Sequence, residues 1–300
     1  MSRSRGAAAR RGWQASSAQR LLPLWLSRLV VVVLIVAILV PILYMILLSL
    51  TPNARIALGG ISFKGLGLAN YGDMWTTAPI FAGLVHTIVI AGVAAAASVA
   101  TGLLAAYPLA RINFRGRRPL LYSLLGSQTV PGTTLILPLF AVFSFIQIAV
   151  GVHFIGGFWP IILTYMTFGL PLSTWLLVAY LRTIPTELED AARVDGCTRA
   201  ATVRRVIFPI ALPAVVVAFV FAFLVGWNDV LFASVLTNNS TQTLALVLER
   251  FANTQGGSGL PVYGDLMAAA IVSSLPVVII YLIFQRHLVQ GLSAGSMTGM

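Results

Sequence analysis

The sequence predicts an all-α membrane protein that crosses the bilayer six times. Of its 300 residues, 58% are hydrophobic and only 9% are charged, whereas about 25% are charged in an ordinary soluble domain. The apolar residues form six runs of membrane-spanning length, since a helix needs roughly 20 residues to cross about 30 Å of hydrocarbon. A surface this poor in charge has to face lipid or other apolar partners.

The six predicted spans follow from hydropathy, and the interior of each run contains no Asp, Glu, Lys or Arg. Pro131 and Pro138 fall inside the third span, Pro171 inside the fourth and Pro276 inside the sixth. Membrane helices tolerate proline where neighbours satisfy the freed carbonyls, so these are either mechanical kinks or ordinary packing irregularities. The spans cover residues 29–50, 84–109, 119–145, 157–181, 206–227 and 265–284.

The basic residues predict which loops lie in the cytoplasm. Of the 19 Lys and Arg residues, all but Arg55, Lys64 and Arg250 lie in the leader, in alternate loops or in the tail. Positive charge is enriched in cytoplasmic loops, and the strict alternation supports six spans with both termini in the cytoplasm. Positions 117 and 198 are therefore expected inside, and positions 64 and 239 outside.

The chain is expected to divide into three parts. Residues 1–27 form an Arg-rich cytoplasmic leader, 28–285 the six-span membrane domain with a polar loop at 182–209, and 286–300 a cytoplasmic tail. The first apolar run is too long for a signal peptide, whose apolar region has roughly 7–15 residues. It is therefore predicted to be a retained helix.

Several function classes are excluded by residue usage. The basic residues lie between apolar runs and do not cluster on a soluble module, as nucleic-acid binding requires. The single cysteine, Cys197, allows no intrachain disulfide. The single lysine, Lys64, has no phosphate-binding glycine motif around it, so ATP binding through such a loop is not expected.

No catalytic, cofactor-binding or metal-binding residues are predicted. The three histidines, His86, His153 and His287, are far apart in the sequence. Ionisable residues inside spans mark proton relays, and His86 in the second span is either such a relay or, as we expect, a hydrogen-bonded packing residue. A proton-coupled transporter is disfavoured.

The loop after the fourth span carries most of the functional information. It predicts a short helix, a turn and a second helix. Thr186 and Glu189 match a capping box, and Glu187, Glu189 and Asp190 complement the positive end of the helix dipole. Gly196 fits the position after a helix end where a left-handed backbone favours glycine.

One face of this short helix is expected to carry Leu188, Ala191, Ala192 and Asp195. The pair Ala191 and Ala192 removes side-chain bulk, so another surface could approach closely. The alternative is a solvated loop that merely connects two spans, which helix-end rules alone would also fit.

The residue pattern of this loop resembles the EAA loop of ATP-binding-cassette importer permeases. Asp190-Ala191-Ala192 stands for E-A-A and Asp195-Gly196 for D-G, and Val206-Ile207-Phe208-Pro209 follows after nine residues where the family has I-x-L-P. Asp190 for Glu, Val206 for Ile and Phe208 for Leu depart from the pattern but keep charge sign or apolar character.

Two further stretches resemble the carbohydrate-importing class of that family. Trp227-Asn228-Asp229 follows the fifth span as W-N-D/E does there, and the stretch from Gln285 to Gly295 resembles its C-terminal ending. The resemblance covers roughly residues 25–300 and is closest to the second, six-span permease of maltose-type importers.

The resemblance implies a type I importer permease fold and a coupling role for the EAA loop. This chain would form half of a pathway with a second permease in a bacterial cytoplasmic membrane. Two copies of an ATPase would hydrolyse ATP, an extracytoplasmic solute-binding protein would deliver substrate, and no cofactor is implied. Coupling residues would be Glu187, Glu189, Asp190, Ala191, Ala192, Asp195 and Gly196.

The substrate is expected to be a neutral sugar, with Trp227, Asn228 and Asp229 near its route. Burial of a charged solute without a countercharge is costly, and the spans offer aromatic, hydroxyl and amide groups instead. Trp227 as an interfacial anchor and Asn228 as a helix-end cap is the structural alternative. A polyol or glycerol phosphate importer, or an ATP-independent transporter, is the alternative function.

Overall fold

The structure, a computed structural model, describes residues 24–58, 65–254 and 262–296. The leader up to residue 23, Lys64 and residues 297–300 lie outside the described residues, and so do the side chains of 286–296, including Arg286. The expected position of Lys64 and the predicted role of the leader therefore stay predictions.

The described part of the chain is helical and contains no strand, apart from an isolated β-bridge between Gly156 and Thr237. A π-helix (Val203–Ile207) directly precedes the helix that begins at Phe208. The α-helices are α1 (Leu24–Leu50), α2 (Asn53–Ala57), α3 (Ala69–Thr77), α4 (Ile80–Arg111), α5 (Arg117–Ser127), α6 (Gly132–Val150), α7 (Phe158–Leu181), α8 (Glu187–Val194), α9 (Arg199–Thr202), α10 (Phe208–Asn228), α11 (Leu231–Leu236), α12 (Leu244–Thr254) and α13 (Tyr263–Ser296).

Six helices in the described residues are long and apolar enough to cross a membrane, which confirms the predicted number. Five of them agree with the predicted spans to within a few residues, apart from a longer start to the fifth. They are Trp25–Leu50, Ile80–Arg111, Gly132–Val150, Phe158–Leu181, Arg199–Asn228 and Tyr263–Gln285.

The third span is the exception, because the predicted 119–145 segment is two helices. α5 ends at Ser127, and α6 begins at Gly132. Pro131 has extended angles (φ −60°, ψ 127°) just before α6. A proline restricts the residue before it to extended conformations and lacks an N–H, so α5 cannot continue through it. Of the two prolines predicted inside this span, Pro138 lies inside a helix and Pro131 does not.

Helices α4, α7 and α10 pack along one another at the centre of the bundle. Glycines allow the closest approaches between neighbouring helices. A Cβ on Gly169 would lie 2.9 Å from the Ser98 Oγ, and one on Gly226 would lie 2.7 Å from the Tyr165 ring. Close packing of small residues drives helix association in lipid. In contrast, α1 buries none of its most apolar stretch within this chain, which leaves it for lipid or another subunit.

A buried carboxylate fixes the start of α13. Asp265 is 2% exposed and accepts hydrogen bonds from Asn53 Nδ2 at 2.8 Å and Thr77 Oγ1 at 3.1 Å. Asn53 Oδ1 in turn accepts from the Gly264 N–H at 2.8 Å. Hydropathy placed Asp265 at the edge of the sixth span but gave it no partner, because its partners belong to the loop after the first span.

We expect Asp265→Ala to lower the melting temperature of the purified protein in detergent. The substitution leaves the Asn53 amide and the Thr77 hydroxyl without their acceptor, and a buried unsatisfied group costs about 1–3 kcal/mol. Asp73→Ala, which removes an exposed carboxylate from α3, is the matched control and should leave the melting temperature unchanged. Equal melting temperatures for both variants would contradict the bridging role of Asp265.

Candidate functional site

The polar loop after α7 forms the predicted helix, turn and second helix. Its first helix, α8, has eight residues, or about 12 Å at 1.5 Å per residue. Gly196 has a φ of +81°. Its N–H bonds to the Arg193 carbonyl at 3.0 Å, and the Cys197 N–H bonds to the Ala192 carbonyl at 2.9 Å. These two bonds make a Schellman motif, so the predicted role of Gly196 in ending the helix is confirmed.

The capping box predicted at the other end of α8 is wrong. Thr186 has helical angles (φ −68°, ψ −24°), and its side chain makes no capping hydrogen bond. A capping side chain needs extended backbone angles to turn back over the first turn. Glu187, Glu189 and Asp190 do lie in that turn, where negative charge is favoured, but Glu189 has a different partner.

Glu189 anchors α8 to the end of α4. Its side chain is 5% exposed, and its Oε1 lies 2.6 Å from Nε of Arg111, whose side chain is 10% exposed. Tyr107 Oη donates to Oε2 of Glu189 at 3.0 Å. Arg111 Nη2 also donates to the Ile184 carbonyl at 2.9 Å, just before α8. Removal of one partner from a buried ion pair costs about 3–5 kcal/mol, so this contact fixes the loop on the bundle.

Sequence reasoning missed Tyr107 and Arg111. Both come from the second span, and the Tyr107 contact joins residues 82 positions apart. Arg111 had been explained by the charge bias of cytoplasmic loops, and no periodicity links it to α8. In the sequence, Glu189 is only one of three acidic residues at the start of α8. Its burial becomes apparent only when the fold places α4 beside α8.

The two sides of α8 differ in what they contact. Ala192 is 6% exposed and lies against this chain, so the prediction that it leaves space for another protein is wrong for that residue. Ala191 is exposed, as predicted. Leu188 is 41% exposed and Val194 is 88% exposed. The outward side therefore combines these two aliphatic side chains with three exposed carboxylates, those of Glu187, Asp190 and Asp195.

A second site lies at two breaks between helices. One lies between α5, which ends at Ser127, and α6, which begins at Gly132. The other lies at the end of the fifth span, between α10, which ends at Asn228, and α11, which begins at Leu231. The two breaks meet through Phe232, because a Cβ on Gly132 would lie 3.3 Å from its ring. Phe232 also packs against Phe168, with ring centroids 5.0 Å apart and the rings tilted. Phe168 is ten residues into α7, or about 15 Å, which puts both breaks near the middle of a 30 Å hydrocarbon layer.

The break in the third span exposes polar groups at this depth. Ser127, Gln128 and Thr129 are exposed within the chain, and Gln128 Nε2 donates to the Phe168 carbonyl at 3.3 Å. Non-helical backbone at membrane depth is tolerated only where protein covers it or where it lines a water-filled cavity. A cavity of about 220 Å³ opens beside it, lined by Ser127, Gln128, Leu135, Pro138, Leu139, Val142, Thr167, Phe168 and Pro171.

The three residues predicted near a solute route lie at the break in the fifth span. Trp227 is 8% exposed and stacks on Phe223, with centroids 5.3 Å apart. Asp229 Oδ2 accepts from Tyr165 Oη at 2.8 Å and from the Ala233 N–H at 3.0 Å, which caps α11. Asn228 is exposed and donates to the Leu224 carbonyl at 3.0 Å. Trp227 and Asp229 therefore position the break, and Asn228 presents its amide there.

Comparison with known proteins gives matches over most of the chain. The sequence model of the family described as "Binding-protein-dependent transport system inner membrane component" matches residues 98–294. The trehalose transport system permease protein SugB of Mycobacterium tuberculosis is 36% identical over 87% of this chain and 93% of its own. The maltose/maltodextrin transport system permease protein MalG of Escherichia coli is 33% identical over 74% of this chain and 73% of its own.

The fold also matches a solved structure. A chain of a bacterial ABC transporter involved in import of the acidic polysaccharide alginate superposes with a TM-score of 0.70. The match covers 87% of this chain and 94% of that chain at 18% sequence identity. At this identity the likeness concerns the fold, and it agrees with the importer permease fold expected from the sequence.

We expect Glu189→Ala to increase the maleimide labelling rate of Cys197 by about tenfold or more. Cys197 is the only cysteine, is partly buried and directly follows α8. Loss of the Glu189 carboxylate leaves Arg111 unpaired and favours release of α8, and each 1.4 kcal/mol changes an opening equilibrium tenfold. Asp190→Ala removes an exposed ion pair with Arg193 and should not change the rate. Equal rates in both variants would contradict the anchoring role.

Proposed function

Because the chain belongs to the family of inner membrane components of binding-protein-dependent transport systems, we propose that it is one of two permeases in an ATP-driven importer. A second permease forms the other half of the pathway. Two copies of a separate ATPase subunit hydrolyse ATP, and an extracytoplasmic solute-binding protein delivers the solute. The observation that carries this proposal is the anchoring of α8 on α4 through Arg111 and Glu189, with an outward face left exposed.

In this proposal α8 is the coupling helix. The ATPase docks on Leu188, Ala191 and Val194 and on the carboxylates beside them. Closure of the ATPase can favour one permease state only through contacts that differ between the two states. The coupling role of Glu189 and Gly196 is then to hold α8 in a fixed position, and that of Ala192 is to let α8 pack closely on its own bundle.

The proposed orientation places α8 and both chain termini in the cytoplasm of a bacterial cell, with the protein in the cytoplasmic membrane. Arginines collect at the end of the bundle that carries α8, including Arg115, Arg182, Arg193 and Arg204. Short cytoplasmic loops are enriched in such residues. The opposite end of the bundle then faces the solute-binding protein.

We expect Val194→Asp to reduce ATP-driven uptake to background and to weaken co-purification of the ATPase subunit. Val194 is 88% exposed on α8, and a carboxylate there adds charge to an interface and removes apolar contact. The Cys197 labelling rate should stay at the wild-type value, because α8 remains anchored.

The control for this variant is Val152→Asp. Val152 is 55% exposed in the loop between α6 and α7, at the opposite end of the bundle, and its substitution should leave ATPase binding intact. Full uptake by the Val194→Asp variant would contradict the docking of the ATPase on α8.

We propose that the transported solute is a neutral carbohydrate and that it passes the two helix breaks. The relatives named above transport trehalose and maltose or maltodextrin, according to their names. The residues around the cavity at the third-span break carry hydroxyl, amide and aromatic groups and no charge. A polyhydroxylated solute needs only hydrogen bonds and apolar faces, whereas a phosphorylated one needs a cation that these residues lack.

In this pathway Gln128 and Asn228 supply amides to sugar hydroxyls, while Trp227 and Asp229 hold the fifth-span break in place. The Asp229 carboxylate is occupied by the Tyr165 hydroxyl and the α11 backbone, so it is not a free charge for the solute. A polyol can form hydrogen bonds with the same two amides, so polyol uptake is also measured in the test below.

We expect Gln128→Ala and Asn228→Ala each to raise the half-saturating sugar concentration about three- to tenfold. Each removes one neutral hydrogen bond of about 0.5–1.5 kcal/mol. Uptake of trehalose, maltose, a polyol and a phosphorylated sugar by the assembled importer is the measurement. Ser123→Ala, which removes an exposed hydroxyl one turn before the break, is the control. Preference for the phosphorylated sugar, or unchanged saturation in both variants, would refute the proposed route.

A further inference from the structure

A large basic cavity lies at the end of the bundle that carries α8, between the start of α5 and the end of α7. Its volume is about 1010 Å³, far more than the cavity at the helix breaks. Neither the coupling helix nor the proposed solute route contributes to its wall. Its lining residues are Asn113, Phe114, Arg115, Gly116, Arg117, Arg118, Pro119, Leu121, Tyr122, Leu125, Trp175 and Arg182.

The cavity contains four arginines and no acid. All eight Asp and Glu residues of the chain fall within the described ranges, and none of them lines this wall or lies within ion-pair distance of Arg115, Arg117, Arg118 or Arg182. Four guanidinium groups that face one space without a counterion repel each other, and a bound anion would relieve that repulsion.

One of these arginines, Arg117, is held in place by the protein. Arg117 Nη1 donates to Asn113 Oδ1 at 2.7 Å and its Nη2 to the Ala110 carbonyl at 3.2 Å. Its Nε is buried without a hydrogen-bond partner. Partial loss of hydration and the nearby Arg117 charge lower the pKa of Arg182. Arg117 is thus fixed on α5 at one side of the cavity, and Arg182, which follows α7, lies near enough to feel its charge.

The rest of the wall is apolar and aromatic. Leu121 and Leu125 continue along α5 for about 12 Å beyond Arg117 at 1.5 Å per residue, and Trp175 faces the cavity from α7. Trp175 is 42% exposed and Tyr122 is 69% exposed, as is typical of side chains at the boundary between headgroups and acyl chains. A small soluble anion would contact the arginines but leave this apolar wall uncovered.

We propose that this cavity binds an anionic phospholipid, with the arginines around its phosphate and the first part of an acyl chain against Leu121, Leu125 and Trp175. Guanidinium groups bind phosphate oxygens in two-pronged pairs, and basic pockets between helices on the cytoplasmic side recognise acidic headgroups. The lipid holds α5 against α7 directly below the third-span break. This assignment goes beyond the transport role and does not depend on it.

The test is quenching of Trp175 fluorescence by lipids with brominated acyl chains. The full-length chain is placed in vesicles that contain brominated phosphatidylglycerol or brominated phosphatidylcholine at equal fractions. The Trp175 contribution is the difference between the protein and its Trp175→Phe variant. We expect phosphatidylglycerol to quench Trp175 preferentially, and the triple variant Arg115→Gln, Arg118→Gln, Arg182→Gln to lower its relative affinity about tenfold or more.

The control is Arg204→Gln with Arg205→Gln, which removes two exposed arginines at the same end of the bundle but outside the cavity. It should keep the preference for phosphatidylglycerol. Equal quenching by both lipids, or equal loss of preference in both sets of variants, would overturn the proposal. Inorganic phosphate added to the vesicles that contain brominated phosphatidylglycerol tests a soluble anion, which would displace the lipid from the arginines. Complete loss of the preferential quenching on addition of phosphate would also overturn the lipid assignment.

Discussion

The structure depends on one constraint of a lipid environment, which is that backbone polar groups must find hydrogen-bond partners inside the protein. Continuous helices meet this requirement in most of the described membrane segments. At the two interruptions it is met by side chains, since Thr129 Oγ1 donates to the Gly126 carbonyl and Asp229 accepts from the first turn of α11. An interruption that is satisfied in this way leaves polar groups at membrane depth without unfolding the span, which is what a passage for hydrophilic solute requires.

The number, type and approximate position of the spans could be predicted because apolar length and charge distribution are local properties of the sequence. The break in the third span was missed because residues 119–145 contain no charged side chain, although Pro131 already indicated that α5 could not pass through it. The Glu189 contact was missed for another reason. Local rules assigned its carboxylate to a capping box, whereas the buried cation of Arg111 offers a stronger, charge-assisted interaction that only the tertiary fold brings near.

Some features of the candidate sites could be predicted from the sequence, and others could not. The end of α8 at Gly196 follows from a local rule and agrees with the structure, while the direction in which Ala192 faces does not follow from spacing alone. Spacing shows which residues share a face of a helix, but not which face packs on the bundle. Trp227, Asn228 and Asp229 were picked out as a group, and the structure separates them into a packed ring, an exposed amide and a helix cap.

The position of α8 gives it contact with the two helices that reach the fifth-span break. It holds the end of α4 through Arg111, and it packs on α9 and on the π-helix that leads into α10. From Arg111 to Ala91, α4 covers 20 residues, or about 30 Å, and a Cβ on Gly226 of α10 would lie 3.0 Å from Ala91.

The ends of α4 and α10 near α8 are therefore linked by an ion pair and by packing, and the same two helices meet again just before Asn228. A displacement of α8 that moved only α4 or only α10 would strain the contact of α8 with the other helix. The reason is that packed interfaces have discrete arrangements and do not deform continuously. The π-helix and Pro108 of α4, both close to α8, are the places where regular helix bonding is already interrupted. Bending there would let α4 and α10 tilt together as a pair, which in the proposed coupling carries a movement of α8 to the break where Asn228 lies.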